Sequence, residues 1–278
     1  MHSSYIPREP EAIMERFREI VRRGSIVGIS TYLRKVAMLN MSMAEKIIAE
    51  NTERILEAVE NGINSYNLGD LGELIYVLSA IDLGVAEKIA DYVVKNGDKI
   101  IYGRLSEHSL EDIARFIIGI WSVYQKLIGL LARCLEIVKP KINVSSLRSI
   151  GKFLLYIGLF DKDFSRSILN NIMADIDRAF MESLTKATLG DIESLIDGIS
   201  VADGKSATTF INRYSKHIRG VFTKKLFDTD RESISRFIVT IAQVDPDLAK
   251  TMFEENMDNL KYVFGEQIAI LKRFLDAL

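Results

Sequence analysis

The stretch GISVADGKS, residues 198–206, comes nearest in this sequence to a phosphate-binding loop. Such a loop needs Gly, four residues and then Gly-Lys-Ser/Thr, placed between a strand and a helix. Here five residues separate Gly198 from Gly204, and the preceding DIESLIDGI has helical rather than strand periodicity. The spacing therefore predicts a turn between two helices, with no nucleotide bound to it.

Other residue types that carry chemistry are few. Cys134 is the single cysteine, which excludes an intramolecular disulfide or a multi-cysteine zinc site, and its apolar neighbours predict a buried structural thiol. The histidines His2, His108 and His217 show no pairing with it that would suggest a nucleophile. No Asp/Glu pair is singled out as a general acid and base. We expect a non-enzymatic protein without a cofactor or metal.

Composition narrows the classes of partner. The chain has 278 residues, is 48% hydrophobic and carries a formal charge of -2, so no strong overall field attracts nucleic acid or an anionic membrane. The most apolar window, Arg115 to Val138, is divided by Gln125 and Lys126 into two runs that are too short to cross a bilayer. We expect a cytoplasmic protein with no membrane partner.

An apolar pattern that recurs along the chain predicts the helices on which these residues lie. Successive anchor residues are separated by 42, 42, 37, 42 and 42 residues. Apolar or aromatic side chains also stand three, four and seven residues after each anchor, which places them on one face of a helix. The anchors are Ile29, Leu71, Ile113, Ile150, Ile192 and Ile234.

Residues that commonly cap helices mark two helices in each period. A capping residue lies four residues before every anchor, and five of the six residues found eleven positions after the anchors are also capping types. The first set is Ser25, Asn67, Ser109, Ser146, Thr188 and Asp230, and the second is Asn40, Asp82, Tyr124, Asp161, Asp203 and Asp245. Asp203 would then cap the helix whose first turn is GKSA.

Two-helix units cannot bury their apolar faces alone and gain stability by stacking on their neighbours. On these residues, from about Ser25 to Phe264, the chain resembles the α-helical repeat superfamily, the HEAT/armadillo-like α-solenoids, in cadence rather than in a signature motif. The predicted fold is therefore an all-α, right-handed α-solenoid of about six two-helix repeats, with capping helices at both ends. Pro140 is expected to truncate the second helix of the short third repeat.

We interpret residues 1–278 as a single domain. Its predicted parts are an N-terminal cap helix in 1–24, repeats near 25–66, 67–108, 109–145, 146–187, 188–229 and 230–263, and a C-terminal cap helix in 264–278.

Solenoids bind their partners mainly along the layer of second helices. In the fourth and fifth repeats the outward positions of these helices are polar and basic: Arg166, Asn170, Asn171, Asn212, Arg213 and Lys216. In peptide-binding armadillo-like arrays a ladder of Asn side chains holds an extended peptide by its backbone, because an amide both donates and accepts. The resemblance implies a scaffold for a protein or extended peptide, and the basic residues favour an acidic one; ordinary solvated helix surface is the other interpretation.

A basic stretch gives the alternative function. SKHIRGVFTKKLF, residues 215–227, combines cations with aromatic residues, as in RNA-binding surfaces. The same cations lie near the end of a helix, where they would offset the negative end of its dipole. An RNA-binding helical-repeat protein is therefore the second hypothesis.

Overall fold

The structure, a computed structural model, describes residues 6–7, 9–96, 107–123 and 128–277, without the side chains of 128–134 and 137. All regular secondary structure in these ranges is helical, so the all-α prediction is confirmed. None of the described helices has both the length and the apolarity needed to cross a membrane. The chain divides into two compact units, Met1–Ile137 and Val138–Leu278.

In the first unit, α2 packs against α3 and α4, and α4 packs against α5 and α6. Helix α3 contacts both α1 and α5. The helices are α1 (Pro10–Arg22), α2 (Ile26–Leu39), α3 (Met41–Gly62), α4 (Leu68–Ile81), α5 (Leu83–Lys95) and α6 (Leu110–Val123), and α7 (Ile128–Val144) spans the boundary between the units.

The second unit continues with α8 (Leu147–Phe160), α9 (Lys162–Ser183), α10 (Leu189–Ala202), α11 (Gly204–Lys225), α12 (Arg231–Val244), α13 (Pro246–Glu255), α14 (Met257–Phe264) and α15 (Ile268–Asp276). Short 3-10 turns lie at Leu226–Asp228 and Gly265–Gln267. Helix α10 packs against both α8 and α12, while α9, α11 and α13 pack on α8, α10 and α12 respectively.

The predicted caps start the helices where the sequence placed them. All six residues predicted to cap the first helices accept a hydrogen bond from a backbone amide two or three residues later. Five of the residues predicted for the second helices do the same, and Tyr124 lies outside the described residues. Asp203 accepts from the Ser206 amide at 3.0 Å, so GISVADGKS is confirmed as a turn between two helices.

The repeated apolar stripe forms the core. Every anchor, and every residue three, four and seven positions after it, is buried. Phe116, Phe153 and Phe237 share the position three residues after an anchor, and none of them has any exposed surface. Helix periodicity alone therefore predicted which face of each first helix turns inward.

Two details of the helices differ from prediction. Pro140 does not end its helix, because α7 continues to Val144. A proline inside a helix removes one hydrogen bond at a cost of about 3 kcal/mol. Val138 and Ile142, which lie on either side of it, are fully buried, so packing offsets that cost.

The C-terminal end is the second difference, because the second helix of the last predicted repeat, expected to run to about 263, is broken into α13 and α14; the closing helix predicted in 264–278 is present as α15. Helix α13 ends at Glu255 after 10 residues, whereas α9 and α11 each have 22. Gly265 then adopts a φ of 57°, a left-handed conformation that interrupts the helical path. The N-terminal helix of the prediction is present as α1.

Candidate partner-binding surface

The six residues predicted to bind a partner lie on α9 and α11, and all of their side chains are exposed. Asn170 and Asn212 each stand nine residues after the Asp that caps their helix, so the two helices present them at equivalent positions. We call the surface formed by Arg166, Asn170, Asn171, Asn212, Arg213 and Lys216 the α9–α11 surface.

Both arginines of this surface form ion pairs that join α9 to α11. The Nε atom of Arg166 lies 3.1 Å from Oδ1 of Asp203, and Arg213 pairs with Asp177 of α9. Arg166 also lies 3.3 Å from the carboxylate of Asp163. The arginine side chains remain about half exposed, and ion pairs of this kind contribute only about 0–1 kcal/mol.

An aromatic cluster lies beneath Arg213. The Tyr214 ring is buried between Phe180 and Phe210, with ring centroids 4.9 and 4.8 Å away, and the Arg213 guanidinium is 6.0 Å from the Tyr214 centroid. The negative charge of Asp177 raises the pKa of Arg213, and burial raises the pKa of the Tyr214 hydroxyl. Arg213 is therefore held in place by a carboxylate and a ring, not free in solvent.

The amide side chains fall into two groups. The Nδ2 atom of Asn171 donates to the Ser167 carbonyl at 2.8 Å, a bond within its own helix. Asn170 and Asn212 make no side-chain hydrogen bond, and Lys216 no ion pair, within the described part of the chain. The surface therefore offers two available amides and one available ammonium group.

The basic stretch of residues 215–227 is partly neutralised. Arg219 pairs with Glu255 of α13 at 2.6 Å, and His217 packs against the Tyr214 ring with centroids 6.2 Å apart. Lys224 and Lys225 lie in the last turn of α11, where they offset the helix dipole. The side chain of Cys134, predicted to be buried, lies outside the described residues.

Sequence reasoning missed Asp177 and the aromatic ring beneath Arg213. Asp177 precedes Arg213 by 36 residues, and only the packing of α9 beside α11 brings the two together. It also missed two clefts in the first unit, one of about 310 Å³ between α3 and α5 and one of about 580 Å³ beside the end of α1. Across the described residues, no three His, Cys, Asp or Glu side chains are grouped so that they could hold a metal ion.

No family model matches the chain, and no curated protein is significantly similar to it. The resemblance to HEAT/armadillo-like proteins thus rests on the regular spacing of the helix-capping residues and of the buried apolar residues.

Proposed function

We propose that the chain is an α-solenoid of six two-helix repeats that acts as a non-enzymatic scaffold. It would bind an extended peptide segment of a partner protein along the α9–α11 surface. The repeat interpretation is supported by the recurrence of the same caps and buried stripe in all six repeats. It is also supported by the order of packing within each unit, where α2, α4 and α6, and then α8, α10 and α12, contact in succession.

The observation that carries the binding proposal is the pair Asn170 and Asn212. Both amides are exposed at equivalent positions on helices that ion pairs join. A carboxamide can donate to a peptide carbonyl and accept from a peptide N–H at the same time. The two amides would therefore hold the backbone of one extended peptide at two points.

The charge of the surface refines the type of peptide. Arg166 and Arg213 already face carboxylates of the protein itself, whereas Lys216 has no carboxylate partner within the described residues. An isolated acidic residue next to the gripped backbone suits this arrangement better than a long acidic run. The proposed ligand is an extended peptide with one acidic side chain near Lys216.

Selection of binding peptides from a displayed random library, followed by anisotropy measurements, tests this proposal. The double variant Asn170→Ala/Asn212→Ala should weaken binding about tenfold or more, which corresponds to about 1.4 kcal/mol. Asn171→Ala is the matched control, because this neighbouring amide bonds to its own helix, and it should keep wild-type affinity. Melting temperatures of all variants establish that they are folded.

Two results would overturn the proposal. The first is a selected peptide that binds the double variant and the wild type equally well, since the site would then lie elsewhere. The second is retention of RNA that falls steeply with salt, which would favour the RNA-binding alternative.

A further inference from the structure

The larger cleft of the first unit lies between the end of α1 and the C-terminal half of α3, and its volume is about 580 Å³. Sites for small ligands typically measure about 300–1,000 Å³. Four of the polar side chains that line it carry N–H donors, Arg22, Arg23, Arg54 and Asn61, while the hydroxyls of Ser65 and Tyr66 already donate to backbone carbonyls.

The lining has an excess of positive charge. Three arginines face a single carboxylate, Glu57, although the whole chain has a formal charge of -2. Arg22 and Arg23 are also paired with Glu15 and Glu19 of α1. The side chains of both pairs are largely exposed, so each ion pair contributes little to stability and can rearrange around a bound anion.

Arg54 differs from its neighbours. It projects from α3 with an exposed side chain, and no carboxylate lies within 4 Å of it in the described part of the chain. Most of the other described arginines form such a pair, among them Arg115, Arg148 and Arg236. A guanidinium without a partner at the edge of a cleft is available to an incoming anion.

Tyr66 gives the cleft a fixed wall. Its hydroxyl donates to the Gly24 carbonyl at 2.6 Å and also lies 3.0 Å from the Ala58 carbonyl. Its ring packs so tightly on Gly62 that an added Cβ there would lie 2.0 Å from the ring. The wall joins the turn after α1 to the end of α3, so the arginines on both sides are held at the same opening.

We propose that this cleft binds the phosphate group of a small phosphorylated molecule. Once Arg22 and Arg23 turn from Glu15 and Glu19 to a bound anion, the lining carries a net charge of about +2, which balances the charge of about -1.5 to -2 on a phosphate monoester at neutral pH. The planar fork of an arginine donates two parallel hydrogen bonds to phosphate oxygens. A single carboxylate ligand would leave about one positive charge uncompensated.

Isothermal titration calorimetry of the full chain at low ionic strength tests the proposal, with inorganic pyrophosphate and adenosine 5′-monophosphate as probes. Pyrophosphate should bind with a dissociation constant of about 1 mM or lower. Arg54→Ala, and separately Arg22→Ala/Arg23→Ala, should weaken it about tenfold or more. Tighter binding of the monophosphate than of pyrophosphate would show that the cleft also contacts the organic part of the ligand.

Two controls separate this cleft from other positive charges. Arg178→Ala removes an exposed arginine of the second unit, and Lys205→Ala removes the lysine of the GKS turn; both should bind pyrophosphate like the wild type. No heat from either probe at millimolar concentration would refute the proposal. Equal weakening by Arg54→Ala and Arg178→Ala would refute it too, since the binding would then be nonspecific. Neither result bears on the α9–α11 surface.

Discussion

The two sides of α10 show how one repeated pattern gives two kinds of helix contact. Towards α8 the backbones meet, because Gly198 of α10 faces Gly151 of α8 and an added Cβ on Gly198 would lie 2.2 Å from the Gly151 carbonyl oxygen. Towards α12 the equivalent positions hold Glu193 and Thr240, and the contact is less extensive. Both sides share the buried stripe, so the size of two side chains decides how closely the helices approach.

The first unit follows the same rule. An added Cβ on Gly119 of α6 would lie 2.1 Å from the Gly72 carbonyl oxygen of α4. Between α2 and α4 the equivalent residues are Ser30 and Val77, and the contact is again less extensive. The agreement in two separate units shows that the glycine pairs, not the position in the chain, select the close contact.

Ion pairs do not account for the difference between the two sides of α10. Arg148 of α8 lies 3.1 Å from Asp191 on the glycine side, and Arg236 of α12 lies 3.8 Å from Glu193 on the other. Pairs of this exposed kind occur on both sides and stabilise the fold only slightly. Backbone approach is therefore the property that distinguishes them.

The largest expected effect tests whether the side-chain core is the same on both sides. Phe153 of α8 and Phe237 of α12 occupy equivalent positions and are fully buried. Replacing either by Ala should lower the free energy of unfolding by about 3–5 kcal/mol, as measured by urea denaturation. A much smaller loss for Phe237→Ala would mean that the α12 side is loosely packed in its core as well.

A smaller effect tests the glycine contact directly. Gly198→Ala should lower the free energy of unfolding by about 1–3 kcal/mol, because the new methyl group forces the α8 and α10 backbones apart. Gly220 of α11 is the control, since an added Cβ there meets nothing within 4 Å. Gly220→Ala should stabilise the protein by about 0.5–1 kcal/mol through helix propensity. Stabilisation by both substitutions would contradict the close contact.

The sequence predicted the first helices and their core faces because caps and apolar spacing are local signals. It did not predict the glycine contacts. From sequence alone, a glycine inside a helix indicates only a weak helix former, because the residue that faces it on the adjacent helix is not known. The same limit applies to the candidate surface. Its exposed residues followed from helix register, but the pairing of Arg213 with Asp177 depends on how α9 lies beside α11.

The predicted and observed helix ends also differ at α7 and near the C-terminus, and in both places the sequence lacks a local signal. Pro140 is tolerated because buried neighbours offset a local cost, and such packing is not visible in the sequence around it. The break before α14 comes at Asn256, whose buried side chain donates to the Met252 carbonyl at 2.9 Å. Asn171 makes the same bond inside α9, which continues to Ser183, so the bond alone does not end the helix and the sequence around Asn256 carries no Gly or Pro to mark the break.

The smallest expected effect concerns the two kinds of carboxylate on and after α10. Burial raises the pKa of Asp197, which lies one turn after Glu193 on the same face of the helix. The hydroxyl of Ser206 lowers the pKa of the capping Asp203, and Arg166 lowers it further. A raised pKa means that the ionised carboxylate opposes folding, and this cost disappears as the pH falls through the folded-state pKa. A lowered pKa means that the ionised carboxylate favours folding, and this gain is lost as the pH falls.

Asp197→Asn should therefore stabilise the protein at pH 7 by less than about 1 kcal/mol, because water screens a partly exposed group. Its advantage over the wild type should shrink as the pH falls through the raised pKa of Asp197 towards 3.8, the ordinary value for this carboxyl. Asp203→Asn keeps a capping side chain but loses the charge, so it should destabilise the protein at pH 7 and approach the wild type in acid. Urea denaturation at pH 7, about pH 5 and about pH 3 measures the two trends, because the gain from Asp203 is lost only as the pH falls below the ordinary value of 3.8. If both variants lost stability at pH 7, Asp197 would be well solvated, and the α12 side of α10 would be more open than its buried stripe implies.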